Sequence, residues 1–499
     1  MIELKGKYNR DCKILTDNIE LEAYSLIQAI LDQPVSEGVP IRIQADTHVG
    51  KGIVIGFCMP LNNSMLNPLH IGVDCGCGML SGRFSGSYKL DLPTIDRDFK
   101  SAVPMGFNVH ETAQFLNIPY NEVQEVADRF VTEYNKKFGT SYVAPTYNEK
   151  WLNGRLKDMK MDESKFWLAL GSMGGGNHYG EVGVDSNGDY WFTIHCGSRN
   201  FGLKVADYWC NVARSQMMIA PDVYAKELEN IKLNTFPKNL IPKKMQELKD
   251  KYKVGINKEY LLGENMMGYM FDMIFAQLYA EWNRRTILNI FKDIAGISKF
   301  DEIISTVHNY IDPKDMIIRK GAIAAYKGQK LIIPMNQKEG FLLCEGKSNP
   351  DFLWSGPHGA GRKFSRSKGK EMCTVAQVEE SMKGIYTTSV CKETLDESVF
   401  CYKDSSEIER LIEPTATIID RIRPIWNVKD TGKQISWKEK RLQEKAGKQV
   451  NVKVHRSDKE KDIRKSKKEL RKLKQNGFEY GVDEIYDFDS DGNPIGVII

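Results

Sequence analysis

Two thiols and a carboxylate sit among three glycines in the segment Gly72–Met79, GVDCGCGM. Glycine backbone lets such a loop fold tightly, so Asp74 and Cys77 can face one point. A carboxylate with a thiolate suits a divalent ion of intermediate softness, such as zinc or manganese. The same segment would also serve as a buried turn with a structural cysteine. A second glycine cluster, GSMGGGNHYGE, runs from Gly171 to Glu181 and puts Asn177 and His178 directly after three consecutive glycines. Its exposed N–H groups suit a phosphate or nucleotide. It is neither a dinucleotide fingerprint nor a P-loop, because the glycine spacing and the Lys-Ser/Thr pair are missing. His195 closes a strand-like run and opens HCGSRNFG; His308 stands in VHNY and His358 in GPHGAGR, with Arg362 four residues on. The chain has only 8 histidines, so four in such contexts carry information. One Asp, one Cys and three His have the make-up of a two-metal site of the kind that stabilises attacking and leaving oxygens in phosphoryl transfer. The fourth His, beside Arg362, is a candidate covalent nucleophile, since neutral imidazole attacks phosphorus.

These residues need elements to carry them. Strand-like runs occur within IRIQADTHVGKGIVIGFCMP and at 166–170, 190–195, 316–319, 330–334 and 341–344. Helical periodicity covers 17–33, with Leu21, Tyr24, Leu26, Ile27, Ile30 and Leu31 as its apolar face, and also 120–138 and 205–232. The stretch 259–293 reads as one or two core helices whose methionine and aromatic stripe is packing rather than a cofactor site. Strands and helices do not alternate regularly, which speaks against a doubly wound sheet. The expectation is an α+β fold: a large mixed-sheet catalytic body with helical insertions over 1–432, then a C-terminal extension over 433–499.

That extension is split by charge. Residues 433–474 hold 17 Lys and Arg against 6 Asp and Glu, and 475–499 hold 6 acids and no Lys or Arg. The basic part is expected to be helical, either attracting phosphates or simply solvated. With 41% hydrophobic and 27% charged residues among 499, wholesale disorder and collagen-like structure are excluded. The sequence has neither a long apolar run nor an apolar N-terminal region, so no membrane span and no secretory leader are expected. Ten scattered cysteines fit reduced thiols and a cytoplasmic location.

Taken in order, the motifs resemble the RtcB family of RNA ligases. DxHxGKG is Asp46–Gly52, GVDxGCGM is Gly72–Met79, GGGNH is Gly174–His178 and HxGSR is His195–Arg199. HN is His308–Asn309, RKGA is Arg319–Ala322, HGAGRxxSR is His358–Arg366, YKD is Tyr402–Asp404, and a closing RP…K is Arg423–Lys429. The resemblance implies GTP and two Mn²⁺ ions as cofactors. The RNA partner would carry a 3′-phosphate or 2′,3′-cyclic phosphate at one end and a 5′-hydroxyl at the other, and an activating protein could assist. It implies that His358 is guanylylated and that Cys77 bridges the ions. Asp74 and His178 would complete one metal site, and His195 and His308 the other. Asn177, Glu181, Asn336, Ala360, Gly361, Tyr402 and Lys429 would hold the nucleotide. Two other functions remain open: a metal-dependent phosphodiesterase or nucleotidyl transferase, and a non-catalytic RNA-binding accessory protein.

The chain departs from the family pattern in two places. Where the family has a PGSMG turn, this sequence reads Pro334-Met335-Asn336-Gln337-Lys338-Glu339-Gly340, so Asn336 replaces a serine and two glycines are lost. Side chains at Met335 and Lys338 are expected to crowd the backbone path to the nucleotide. The glycine expected after Lys429 is Asp430, and the chain runs on beyond it.

Overall fold

The computed structural model describes residues 1–16, 18–62, 65–217, 221–252, 259–432, 485–488 and 494–498. The expected helix over 433–474 lies outside them; Ile485–Phe488 and Pro494–Ile498 are short strands. The chain divides into two compact units, one of Met1–Thr431 with Phe488–Ile495 and a smaller one of Gly432–Asp487 with Gly496–Ile499.

The first unit is a mixed α+β body. Its largest sheet has seven strands in the order Lys330–Asn336, Gly340–Gly346, Ala416–Val428, Tyr179–Val184, Tyr190–Cys196, Gly78–Phe84 and Glu302–Val307. Every neighbouring pair in it is antiparallel. A six-stranded sheet runs Ile2–Leu4, Cys12–Ile14, Ile41–His48, Ile55–Pro60, Ile317–Lys320, Asn309–Ile311, with one parallel pair, Cys12–Ile14 on Ile41–His48. Ala322–Ala324 pairs with Ser355–Pro357 and leads the chain to His358.

The stretch 259–293 forms a single helix, Gly263–Ile294. It spans two apolar clusters, with Met266 to Trp282 in one and Ile287, Leu288 and Phe291 in the other. A helix buried over most of its circumference reads as apolar all round, which is why its period is weak. Residues 120–138 form a helix as expected, buried through Val123, Ala127, Phe130, Val131 and Tyr134 and ended by Gly139 at φ +67°. Residues 205–232 divide into Arg199–Met217 and Pro221–Asn234, with proline at the first position of the second helix. The first amphipathic helix starts at Leu21, and Leu21 and Tyr24 are exposed; Ala23, Ile27, Ile30 and Leu31 form its buried face.

One strand expectation is wrong. Residues 166–170 are the end of a helix, Glu163–Ala169, and not a strand. Asp162 caps it by accepting the Ser164 N–H at 2.9 Å. A five-residue apolar run cannot by itself separate a buried strand from one face of a short capped helix.

Candidate metal and nucleotide site

Four neighbouring strands of the large sheet bring the expected metal ligands to one end. His178 precedes the strand Tyr179–Val184, and His195 lies at the end of Tyr190–Cys196. Cys77 precedes Gly78–Phe84, and His308 follows Glu302–Val307. Antiparallel pairing makes two strand starts and two strand ends coincide. Tyr179 and Met79 both stand opposite His195, and Gly78 stands opposite Val307. The His308 N–H donates to Cys77 O at 2.9 Å, which fixes the last ligand to the first.

The donor atoms converge. Cys77 Sγ is 3.4 Å from His178 Nε2 and 3.3 Å from His195 Nε2. His195 Nε2 is 3.3 Å from His308 Nε2, and Asp74 Oδ2 is 3.1 Å from His178 Nε2. Donors around a tetrahedral ion at bond lengths of 2.0–2.3 Å lie roughly 3.3–3.8 Å apart, and Cys77, His178 and His195, whose ligand atoms all lie within 4.8 Å of one another, form a group able to hold a metal ion. Asp74 is steered by its other oxygen, which accepts the Ser198 N–H at 2.8 Å. Gly174 is required here: a Cβ on it would lie 2.0 Å from His178 Nδ1.

Burial sets the protonation of this cluster. It drives His195 well below the usual imidazole range, with His178, His358 and Lys429 adding to the effect. A neutral ring keeps a lone pair for a metal. Burial also raises the Cys77 thiol well above its usual value, and Asp74 pushes it further. The thiol therefore holds its proton until a cation replaces it.

His358 stands beside the cluster, its ring centroid 4.8 Å from that of His308. Its orientation comes from a residue to which the sequence motifs gave no role. Asp46, fully buried at the end of the strand Ile41–His48, accepts three bonds on Oδ2. They come from His358 N at 3.0 Å, Gly359 N at 3.1 Å and His358 Nδ1 at 2.6 Å. An ionised carboxylate only accepts, so Nδ1 carries a ring proton, and in the neutral ring Nε2 then carries the lone pair. Gly361, at φ +74°, lets the loop pass Asp46: a Cβ there would meet Asp46 O at 2.2 Å.

A cleft opens onto His195, His308 and His358. All seven expected nucleotide residues line it: Asn177, Glu181, Asn336, Ala360, Gly361, Tyr402 and Lys429. Asp74, Cys77 and His178 do not line it. Glu181 is buried, its Oε1 has no hydrogen-bond partner, and burial holds its carboxyl well above the usual range against the pull of Lys429. An orphaned buried carboxyl in a cleft calls for a polar ligand edge.

Glu397, which the sequence did not single out, organises a second group of residues lining the cleft. Its carboxylate pairs with Arg362 at 3.2 Å, with Arg366, and with Lys429 at 3.5 Å, and it accepts the Tyr402 hydroxyl at 2.6 Å. Burial opposes its ionisation, but Arg366, Lys429 and Arg362 together hold it far below the usual carboxylate range. Lys429 is lowered by its own burial and supported by Glu397. Its Nζ also donates to His178 O at 3.2 Å, joining the cleft to the metal cluster.

The altered turn has contacts of its own. Asn336 Oδ1 accepts the Lys338 and Glu339 N–H groups at 3.0 and 3.1 Å. Gln337 Nε2 donates to Glu397 O at 3.0 Å, and Gln337 O accepts from Asn427 at 3.2 Å. Met335 packs into the core with Ile333 and Leu342. Lys338 is exposed and does not line the cleft. Of the two side chains that replace glycines, only Met335 thus reaches the cleft wall.

Comparison with known proteins agrees in extent. The family described as tRNA-splicing ligase RtcB matches residues 36–430. The RNA-splicing ligase RtcB of Escherichia coli is 25% identical over 415 residues, which is 78% of this chain and 90% of that protein. The tRNA-splicing ligases RtcB of Aeropyrum pernix and Nanoarchaeum equitans are 24% and 26% identical, over 77% and 78% of this chain and 86% and 87% of theirs.

Proposed function

The chain belongs to the RtcB family, and on that premise we propose that it is an RNA ligase. It joins a 3′-phosphate or 2′,3′-cyclic phosphate end to a 5′-hydroxyl end, using GTP through a GMP–histidine intermediate. The observation that carries this reading is His358. Its Nδ1 proton is held by buried Asp46, its ring lines the cleft, and it abuts the His308 end of the donor cluster. That is the arrangement a nitrogen nucleophile for phosphorus requires.

In this reading His358 Nε2 attacks the α-phosphorus of GTP, a P–N bond forms and pyrophosphate leaves. Asp46 stabilises the positive charge that develops on the ring. An RNA 3′-phosphate oxygen then takes the GMP from His358, and the 5′-hydroxyl oxygen attacks the activated 3′-phosphorus and releases GMP. A cyclic phosphate is hydrolysed to the 3′-phosphate first. Glu181, Asn177 and Asn336 orient the nucleotide, and Lys429, Tyr402 and Arg362, aligned by Glu397, line the same cleft. Two Mn²⁺ ions, one held by Asp74, Cys77 and His178 and one by Cys77, His195 and His308, would supply positive charge to the attacking and leaving oxygens.

The test is incubation with α-labelled GTP and Mn²⁺, followed by a cleaved stem-loop RNA. The expected result is an acid-labile protein adduct that is discharged as the RNA ends join. Metal uptake without an adduct would point to a phosphodiesterase instead. Neither uptake nor adduct would point to an RNA-binding accessory protein.

A further inference from the structure

The long helix Gly263–Ile294 is mostly packing, but two consecutive residues on it are not. Asn283 and Arg284 are both fully buried. Asn283 Oδ1 accepts the Gly171 N–H at 2.7 Å, and its Nδ2 faces Ser172 O at 3.2 Å and Gly197 O at 3.1 Å. Arg284 Nη1 donates to Gly76 O at 2.7 Å and to Cys196 O at 2.8 Å, while Nη2 pairs with Glu281 at 3.1 Å. Every backbone partner lies in a segment that carries a donor of the cluster. Gly76 precedes Cys77, Cys196 follows His195, and Gly171 opens the loop that ends in His178.

Core packing does not account for this pair. A buried guanidinium carries a heavy desolvation cost, and apolar residues of similar size would pack the helix without it. The sheet registers the strands, but Cys196 is the last residue of its ladder and Gly76, Gly171, Ser172 and Gly197 lie beyond the ladders, where backbone groups need partners from elsewhere. The helix supplies those partners to all three loops from two adjacent positions.

We propose that Asn283 and Arg284 are positioning residues for the metal centre, a two-residue clamp that locks the loops carrying Cys77, His178 and His195 into ligand geometry before a metal ion arrives. The inference rests on the metal reading of that cluster. Without the clamp, the loops must be ordered at the moment of binding, and affinity falls by that ordering cost.

The experiment titrates the full chain with CoCl₂ and follows the sulfur-to-cobalt charge-transfer and d–d absorption bands. The unmodified protein should show both. Asn283→Ala should bind Co²⁺ about 10- to 100-fold more weakly, the range found when partners of metal ligands are removed, with displaced d–d bands. Asp272→Asn is the control for general loosening. Asp272 is buried on the same helix, but its side chain bonds Arg155 and Trp209 and not the backbone of the three loops. That variant should bind Co²⁺ like the unmodified protein. If Asn283→Ala does not fold, Arg284→Lys decides, because it keeps the buried cation beside Glu281 but loses the guanidinium geometry. It too should weaken binding and shift the bands. Unchanged affinity and bands in the folded variant would overturn the clamp, as would equal weakening in Asp272→Asn. No thiolate band in the unmodified protein would overturn the metal reading, and the clamp with it.

Discussion

Asp46→Asn tests the chemistry of His358 most directly. Asparagine keeps an oxygen for the His358 and Gly359 N–H groups, so the loop keeps its backbone bonds. What disappears is the negative charge against Nδ1, now 2.6 Å away. Attack by Nε2 on phosphorus turns the ring into a cation. With charge centres about 4 Å apart, an effective dielectric near 20 gives an attraction of ~4 kcal/mol. At 1.36 kcal/mol per decade, its full loss slows adduct formation about 1000-fold. Losing only the charge assistance of the bond, ~1.5 kcal/mol, sets a floor of about 10-fold. Asp46 does not line the cleft, so equilibrium GTP binding should change by less than about threefold. The assay is the rate of acid-labile GMP incorporation by rapid quench, with GTP affinity measured separately. An adduct rate within threefold of the unmodified protein would refute the reasoning, and so would a loss of GTP binding that matches the loss of rate.

The remaining predictions are simpler. His358→Ala should abolish the adduct and leave metal content unchanged; an undiminished adduct removes His358 as nucleophile. Cys77→Ala should lower occupancy of both metal positions, since its sulfur touches both His178 and His195, whereas His308→Ala should mainly affect one; metal analysis after dialysis reads this. Because burial and Asp74 hold the Cys77 thiol up, metal uptake displaces its proton, and apparent affinity should rise about tenfold per pH unit through neutrality, as measured by titration at several pH values. Deleting residues 433–499 should weaken RNA binding and flatten its salt dependence, by roughly 0.7–0.9 in slope per lost phosphate contact, without affecting the adduct. An unchanged slope would make the basic segment a solvated or protein-binding one. Restoring the family turn (Met335→Gly, Asn336→Ser, Gln337→Met, Lys338→Gly) should lower stability by ~2–5 kcal/mol through the Met335 cavity, read by denaturant titration. It should also reduce adduct yield with GTP; a gain in yield would mean that the present turn's own contacts are incidental.

Much of the molecule is legible in its residues. The glycine-rich segments around Asp74, Cys77, His178, His195 and His358 stand out as candidates because a tight loop needs permissive backbone, and that need is local and written in order along the chain; His308 reads only from VHNY. The helix over 120–138 is equally local: apolar spacing, then a glycine in the left-handed region. The helical end at 166–170 was not legible, because a short apolar run fits either period and Asp162 decides only through its capping bond. The turn at 334–340 shows the same limit. Its sequence says that glycines are gone, but only the fold shows Met335 turned into the core and Gln337 bound to Glu397.

The residues that escaped sequence reading share one physical property. Glu397, Asn283 and Arg284 belong to no motif, and Asp46 opens DxHxGKG without a role that the motif discloses; all four bond groups far away in sequence. Asp46 serves His358 across 312 positions, and Arg284 serves Gly76 across 208. A buried polar side chain is identified by its partner, and its partner is chosen by tertiary packing. By itself the sequence determined which chemistry was at hand, because donor types and glycine spacing are chemical facts about neighbours. The tertiary structure alone decided which carboxylate bonds the His358 ring and which helix bonds the segments around Cys77, His178 and His195, because hydrogen bonds across hundreds of residues exist only once the chain has folded.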